Sequence, residues 1–234
     1  MARLARLSIG GFPHLVLQRS GPRPLVVDDV DAGRLLAAMR ESMSGGHVAL
    51  HGYALLPHAL WLLVTPADAR ALGLALQAVG RRYVRAYNDR HAGRGALFDG
   101  RYRAAILEPE SAFLGALQFV ETQPVRAGLV AAAEEYRWSS FRHHAGFASD
   151  PMLQDHSLYW ALGNTPFERQ VAYRAAVHAG LAQGDVARFD RALAGGWVVG
   201  SDAFVRSIAP QCARRPAPGR AGRPRRPAAS TPSG

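Results

Sequence analysis

Between His47 and Thr65 the chain reads HVALHGYALLPHALWLLVT, two apolar runs rich in strand formers with only Leu56-Pro57-His58 between them. A connection that short joins antiparallel neighbours, because parallel strands need a much longer crossover. The pair predicts a hairpin over residues 47–55 and 59–65, and whatever else the chain forms must pack on that hairpin.

The flanking segments supply a sheet and its cover. Residues 12–18 (FPHLVLQ) predict a strand, ended by GPRP at 21–24. From Asp28, the residues Val30, Leu35, Leu36 and Met39 fall near a helical period, and Asp28, Asp29 and Asp31 stand at the positive end of that helix. It runs to about Ser44, where Gly45-Gly46 stops it. A longer helix from about Asp68 to Asn88 carries Leu72, Leu76, Val79, Tyr83 and Tyr87 at three- and four-residue steps. After the glycine-rich HAGRGALFDGR, residues 102–108 predict a strand and 110–121 a helix that stops before Pro124. The order β-α-β-β-α-β-α predicts an α+β fold of the ferredoxin-like, split βαβ kind, a mostly antiparallel sheet with helices on one face.

A chain of 234 residues has the length for one such core and a modest addition. Residues 1–148 are expected to form the main domain and 149–209 a small, mainly helical extension. Residues 210–234 are too rich in Arg, Pro, Gly and Ala to bury a core and are expected to be a disordered basic tail.

The formal charge of +10, with an isoelectric point near 10.9, favours polyanionic partners, nucleic acid before others. More than half of the excess sits in the tail, which holds six arginines and no acid; the chain contains no lysine at all. A single cysteine, Cys212, excludes an internal disulfide framework. No secretory leader and no membrane span is legible, so a cytoplasmic protein without a membrane role is expected.

Four stretches share a frame with one family. Tyr53-Ala-Leu-Leu-Pro57-His58-Ala59-Leu60-Trp61-Leu-Leu-Val64 follows Y-x-L-M-P-N-H-V-H-L-L-V, and QFVETQPVRAGLV (118–130) follows R-Y-I-x-x-N-P-V-R-A-G-L-V. EYRWSSFRHHAG (135–146) follows Y-x-W-S-S-Y-x-x-H, and RRYVRAYNDRHAGRGALFDGRYRAAILE (81–108) supplies the helix, loop and strand between. The chain thus resembles the REP-associated tyrosine transposases of the single-tyrosine HUH superfamily, over about residues 5–146 and more loosely at 196–205.

The resemblance implies an enzyme that cuts and rejoins single-stranded or hairpin DNA through a phosphotyrosine. Its tyrosine hydroxyl attacks a phosphodiester, while a His-x-His pair and a further polar ligand hold Mg or Mn against the scissile phosphate. In this frame the histidine positions are Ala59 and Trp61, and the nucleophile position is Phe119. Gln123, one helical turn on, stands where relatives supply the third ligand. A phenyl ring cannot form a phosphate ester, so a non-cleaving DNA-binding protein without a metal cofactor is expected.

An active transposase with a displaced centre would need His58, which a regular strand turns to the opposite side from Ala59, with Gln123 and another tyrosine. Tyr83, Tyr87 and Tyr102 are the available tyrosines, and at such positions they read first as packing residues. His47 and His51 read as surface or internally bonded histidines, and the adjacent His143 and His144 should diverge. DNA contacts are expected from Arg81, Arg82, Arg85, Arg94, Arg101 and Arg103 beside the active face. The tail's Gly222-Arg223-Pro224-Arg225 resembles an AT-hook core, in which Arg223 and Arg225 would enter a minor groove. A homodimer and a monomer are both open, as is an interaction module, or a decaying gene product, that does not bind DNA.

Overall fold

A computed structural model describes residues 6–219. Strand β1 (His14–Arg19) leads to helix α1 (Asp29–Met43), strands β2 (Val48–Leu56) and β3 (Ala59–Pro66), helix α2 (Ala71–Arg90) and strand β4 (Arg103–Ile106). The strands form one sheet in the order β2-β3-β1-β4, with every neighbouring pair antiparallel, which is the split βαβ plan. Register is fixed by burial: Leu17 lies opposite Trp61 on one side and Arg103 on the other, and Arg19 lies opposite Ala59.

Strand alternation divides the core in two. Val16, Leu60, Leu62 and Val64 face α1 and α2, where Leu35, Met39, Leu72, Val79 and Tyr83 meet them. Leu15, Leu17, Trp61 and Leu63 face the opposite way, into helix α3 (Pro109–Glu121) with Phe113, Leu117 and Phe119. The one-face arrangement therefore holds for α1 and α2, and the second face is covered as well. Short helices α4 (Gln123–Arg126), α5 (Phe141–His144) and α6 (Ser157–Trp160) follow α3. Helices α7 (Pro166–Ala179) and α8 (Gln183–Gly195) add Tyr173, Phe189 and Leu193 to that same core, and α9 (Asp202–Ile208) follows them. Each such large side chain, fully buried, contributes about 1.5–3 kcal/mol.

Local signals set the helix ends. Asp28 caps α1 by accepting from the amides of Val30 (3.0 Å) and Asp31 (3.1 Å). Thr165 and Glu168 form a reciprocal capping box at α7, with Pro166 in its first turn. Gly196, at φ 62°, ends α8 in the left-handed conformation that a side chain would strain.

Asp28 also receives Arg90 from the end of α2 at 2.6 Å, and that hydrogen bond leads the causes that lower its pKa from 3.8 to about 2. A carboxylate depressed by folding adds stability above its unfolded pKa and loses it as pH falls through the folded one. The thermal midpoint of the native chain should therefore drop between about pH 4 and 2 more steeply than that of Asp28→Asn. Equal slopes for the two would count against this coupling.

Irregular chain runs along both outer strands. Beside β2, Leu55 donates to Trp138 O (2.9 Å), Ser140 to Tyr53 O (3.0 Å) and Gln154 to Leu50 O (2.8 Å). Beside β4, Val199 donates to Ile106 O (2.8 Å) and Glu108 to Val199 O (2.7 Å).

The start of the basic tail differs from the expectation of disorder at 210. Arg214 donates to Gly195 O (3.0 Å) and lies over the Trp197 ring (4.8 Å), and Val198 donates to Pro216 O (2.9 Å). A guanidinium that reaches unpaired carbonyls at a helix end and stacks on an indole orders even a proline-rich segment. The AT-hook-like Arg223 and Arg225 lie outside the described residues. Among the described residues, no helix is long and apolar enough to cross a membrane.

Candidate active site

The three positions expected to carry chemistry meet in one place. Alternation along β3 turns Ala59, Trp61 and Leu63 toward α3, and the helical period of α3 turns Phe119 toward them. The rings of Trp61 and Phe119 meet edge to face, centroids 5.5 Å apart at 80°. Phe189 of α8 closes on Phe119 at 5.2 Å, and the Arg126 guanidinium lies over the same ring at 5.1 Å while pairing with Asp190 at 3.7 Å. Phe119 is 0 % exposed. The pocket is a packed aromatic core.

Its donor set does not fit a divalent cation. Ala59 offers no lone pair, and the indole of Trp61 only donates. Gln123 is buried and donates from Nε2 to Phe119 O at 3.0 Å, which leaves one amide oxygen with no second ligand. His58 is no substitute: it stands exposed in the turn between β2 and β3, its Nδ1 3.0 Å from Ser20 Oγ. A one-residue slip of β3 would turn His58 to the Trp61 side, but continuous β1–β3 pairing from His14↔Val64 to Arg19↔Ala59 leaves no room for one.

All seven tyrosines of the chain fall within the described residues. Tyr83 bonds Leu25 O, Tyr87 packs against His91 (4.3 Å) and Tyr102 lies under Arg6 (3.8 Å); these three belong to the α1–α2 side of the sheet, across it from Phe119. Burial raises the pKa of each. Tyr53, Tyr136, Tyr159 and Tyr173 donate to Asp150, Leu55 O, His144 O and Glu121. None presents a hydroxyl to the Trp61 pocket.

The expected arginines divide between the two faces, which corrects their placement beside the active face. Arg81, Arg82 and Arg85 are exposed on α2, behind the sheet, with Arg82 bound to Glu41 at 3.1 Å. Arg94 is exposed in the following loop. Arg101 lines a cleft of about 390 Å³ on the α2 side, with Arg6, Gln18, Gln77, Phe98 and Tyr102. Arg103 alone of the six shares the Trp61 face, through its pairing with Leu17. Sequence reasoning missed Arg19, exposed opposite Ala59, and Arg126 over Phe119. The alternation Leu15, Leu17, Arg19 was the available signal for the first.

A second polar cluster was missed altogether. Glu121, 0 % exposed two residues beyond Phe119, accepts from Ser140 (2.5 Å), His144 Nδ1 (2.7 Å) and Tyr173 (2.7 Å). His143 and His144 do not diverge as expected: in the single turn of α5 both bring Nε2 near Asp155 Oδ1, at 3.3 and 3.6 Å. The bond to His143 lowers the pKa of Asp155, and the bond to Asp155 raises that of His143. His51 is satisfied, as expected, bonding Gln154 O (2.6 Å) and Thr65 Oγ1 (2.9 Å); burial takes its pKa down to about 4. His47 is exposed.

No protein-family model matches the chain, and no curated protein matches it. Among solved structures, the chain is similar to a REP-associated tyrosine transposase bound to a REP hairpin, with a TM-score of 0.55 and 13% identity over 67% of this chain and 92% of that one. At that identity the likeness is one of fold. A chain from Deinococcus radiodurans R1, assigned as a transposase, has a TM-score of 0.35 and 19% identity over 53% of this chain and 95% of that one; the superposition is too poor to carry an argument.

Proposed function

We propose that this chain is a degenerate relative of the REP-associated tyrosine transposases that binds single-stranded or hairpin DNA without cutting it. The observation that carries the loss of cutting is the contact between Trp61 and Phe119, capped by Phe189, where a metal-bound phosphate and a tyrosine would otherwise meet. The sequence resemblance and the shared fold support the relationship. The neighbour's hairpin makes hairpin DNA the first ligand to try.

DNA binding needs distributed charge rather than one hydroxyl, and charge is present. Arg19, Arg103 and Arg126 rim the Trp61 face, while Arg81 and Arg85 stand exposed on α2. The cleft behind the sheet joins two aromatic rings, Phe98 and Tyr102, to two guanidinium groups, Arg6 and Arg101. Stacking surfaces beside cations are what unpaired bases and their phosphates require.

Titration of a labelled hairpin oligonucleotide across a salt series tests the reading. Affinity should fall steeply with salt, and Arg103→Ala should reduce the slope of log K against log salt by about one. With Mg²⁺ or Mn²⁺ present, no protein–DNA adduct should survive denaturation. Salt-insensitive binding would sink the DNA-binding half of the proposal, and a metal-dependent adduct would sink the non-cleaving half.

A further inference from the structure

We propose that His143, His144 and Asp155 form a binding site for one divalent transition-metal ion of the zinc class, separate from the Ala59–Trp61 pocket. The three side chains each offer one ligand atom, and those atoms lie within 4.8 Å of one another. The two shorter separations, 3.3 and 3.6 Å to Asp155 Oδ1, suit a small tetrahedral ion: bonds of roughly 2.0–2.1 Å place neighbouring ligands about 3.3–3.4 Å apart. Two imidazoles with one carboxylate favour zinc, cobalt or nickel over magnesium and calcium, which take oxygen.

His144 is already held as a ligand. Its Nδ1–H donates to the Glu121 carboxylate at 2.7 Å, which leaves the Nε2 lone pair directed toward Asp155. Glu121 is itself fixed by Ser140 and Tyr173. A carboxylate behind a histidine selects the tautomer and raises the basicity of the nitrogen that meets the metal.

His143 must rearrange. The Asp150 amide donates to its Nδ1 at 3.1 Å, so the neutral ring carries its proton on Nε2, toward Asp155. Metal binding at Nε2 moves that proton to Nδ1, so the Asp150 amide has to turn away from the ring, which keeps its neutral charge. His143 and Asp155 also line a cleft of about 140 Å³ with Ser149, Tyr159, Arg169 and Gln170, which has space for a water as a fourth ligand. Without an ion, the same groups are a hydrogen-bonded clasp between α5 and the segment before α6.

Untagged full-length protein, stripped with a chelator and titrated with Zn²⁺ and with Co²⁺, separates the two states. Expected are one equivalent bound, a strong four-coordinate cobalt absorption, and a melting temperature raised on the order of 5–10 °C at about 100-fold excess over Kd. His143→Ala and Asp155→Asn, at partly exposed positions whose folding circular dichroism can check, should each weaken binding at least about tenfold. Absence of saturable binding would overturn the proposal. So would a weak six-coordinate cobalt spectrum, or binding that both variants leave unchanged. The outcome is independent of whether the protein binds DNA.

Discussion

Truncating Phe119 to alanine is expected to lower the unfolding free energy by about 3–5 kcal/mol, read as a shifted urea midpoint. The ring is fully enclosed by Trp61, Phe189 and the Arg126 guanidinium, and these come from β3, α8 and α4, which cannot collapse together into the void. Phe119→Tyr is the more instructive variant. It restores the family's nucleophile by name, but sets a hydroxyl among aromatic carbons, at a cost of about 1–3 kcal/mol if it finds no partner. No covalent DNA adduct should follow, since neither Ala59 nor Trp61 can hold a metal beside it. A loss below about 1 kcal/mol for Phe119→Ala would show that the cluster is not the packed core described.

Glu121→Ala should be comparably severe, about 3–5 kcal/mol, for a different reason. Removing the carboxylate leaves the buried Tyr173 hydroxyl and the Nδ1 side of His144 without their partner, and Ser140 with only its longer bond to Tyr53 O (3.2 Å). Glu121→Gln keeps the shape but presents an amide N–H₂ to one of those donors, so about 1–3 kcal/mol should be lost. No loss for Glu121→Gln beside a large loss for Glu121→Ala would mean that volume, rather than hydrogen bonding, matters at this position. Tyr173 belongs to α7, so α7 should loosen first, which amide exchange can read.

The sheet was legible because its strands and helices announce themselves locally. The runs around Pro57, the Asp28 cap and the apolar period of α1 and α2 set element ends to within a few residues of those observed. The meeting of Trp61 with Phe119 was legible too, through the shared frame with a known family. What escaped depends on distance in sequence. The arginines of α2 are close in the chain to Arg101 and Arg103, yet a helix crosses to whichever face its strands dictate, and Arg81, Arg82 and Arg85 went behind the sheet. The insertion of Phe189, seventy residues after Phe119, carries no local sign. Adjacent histidines diverge on a long helix or strand, but α5 is a single turn, and Asp155 arrives from beyond it to gather both.

The strips of irregular chain beside β2 and β4 bear on how copies of this protein could meet. Open sheet edges let identical chains add strand to strand, as a continuous intermolecular sheet or as an aggregate. Here Trp138, Ser140 and Gln154 occupy carbonyls and amides along one border, and Val199 those along the other. A symmetric pair built by extending the sheet would first have to peel these segments away, so self-association that leaves the fold intact must use side-chain surfaces instead.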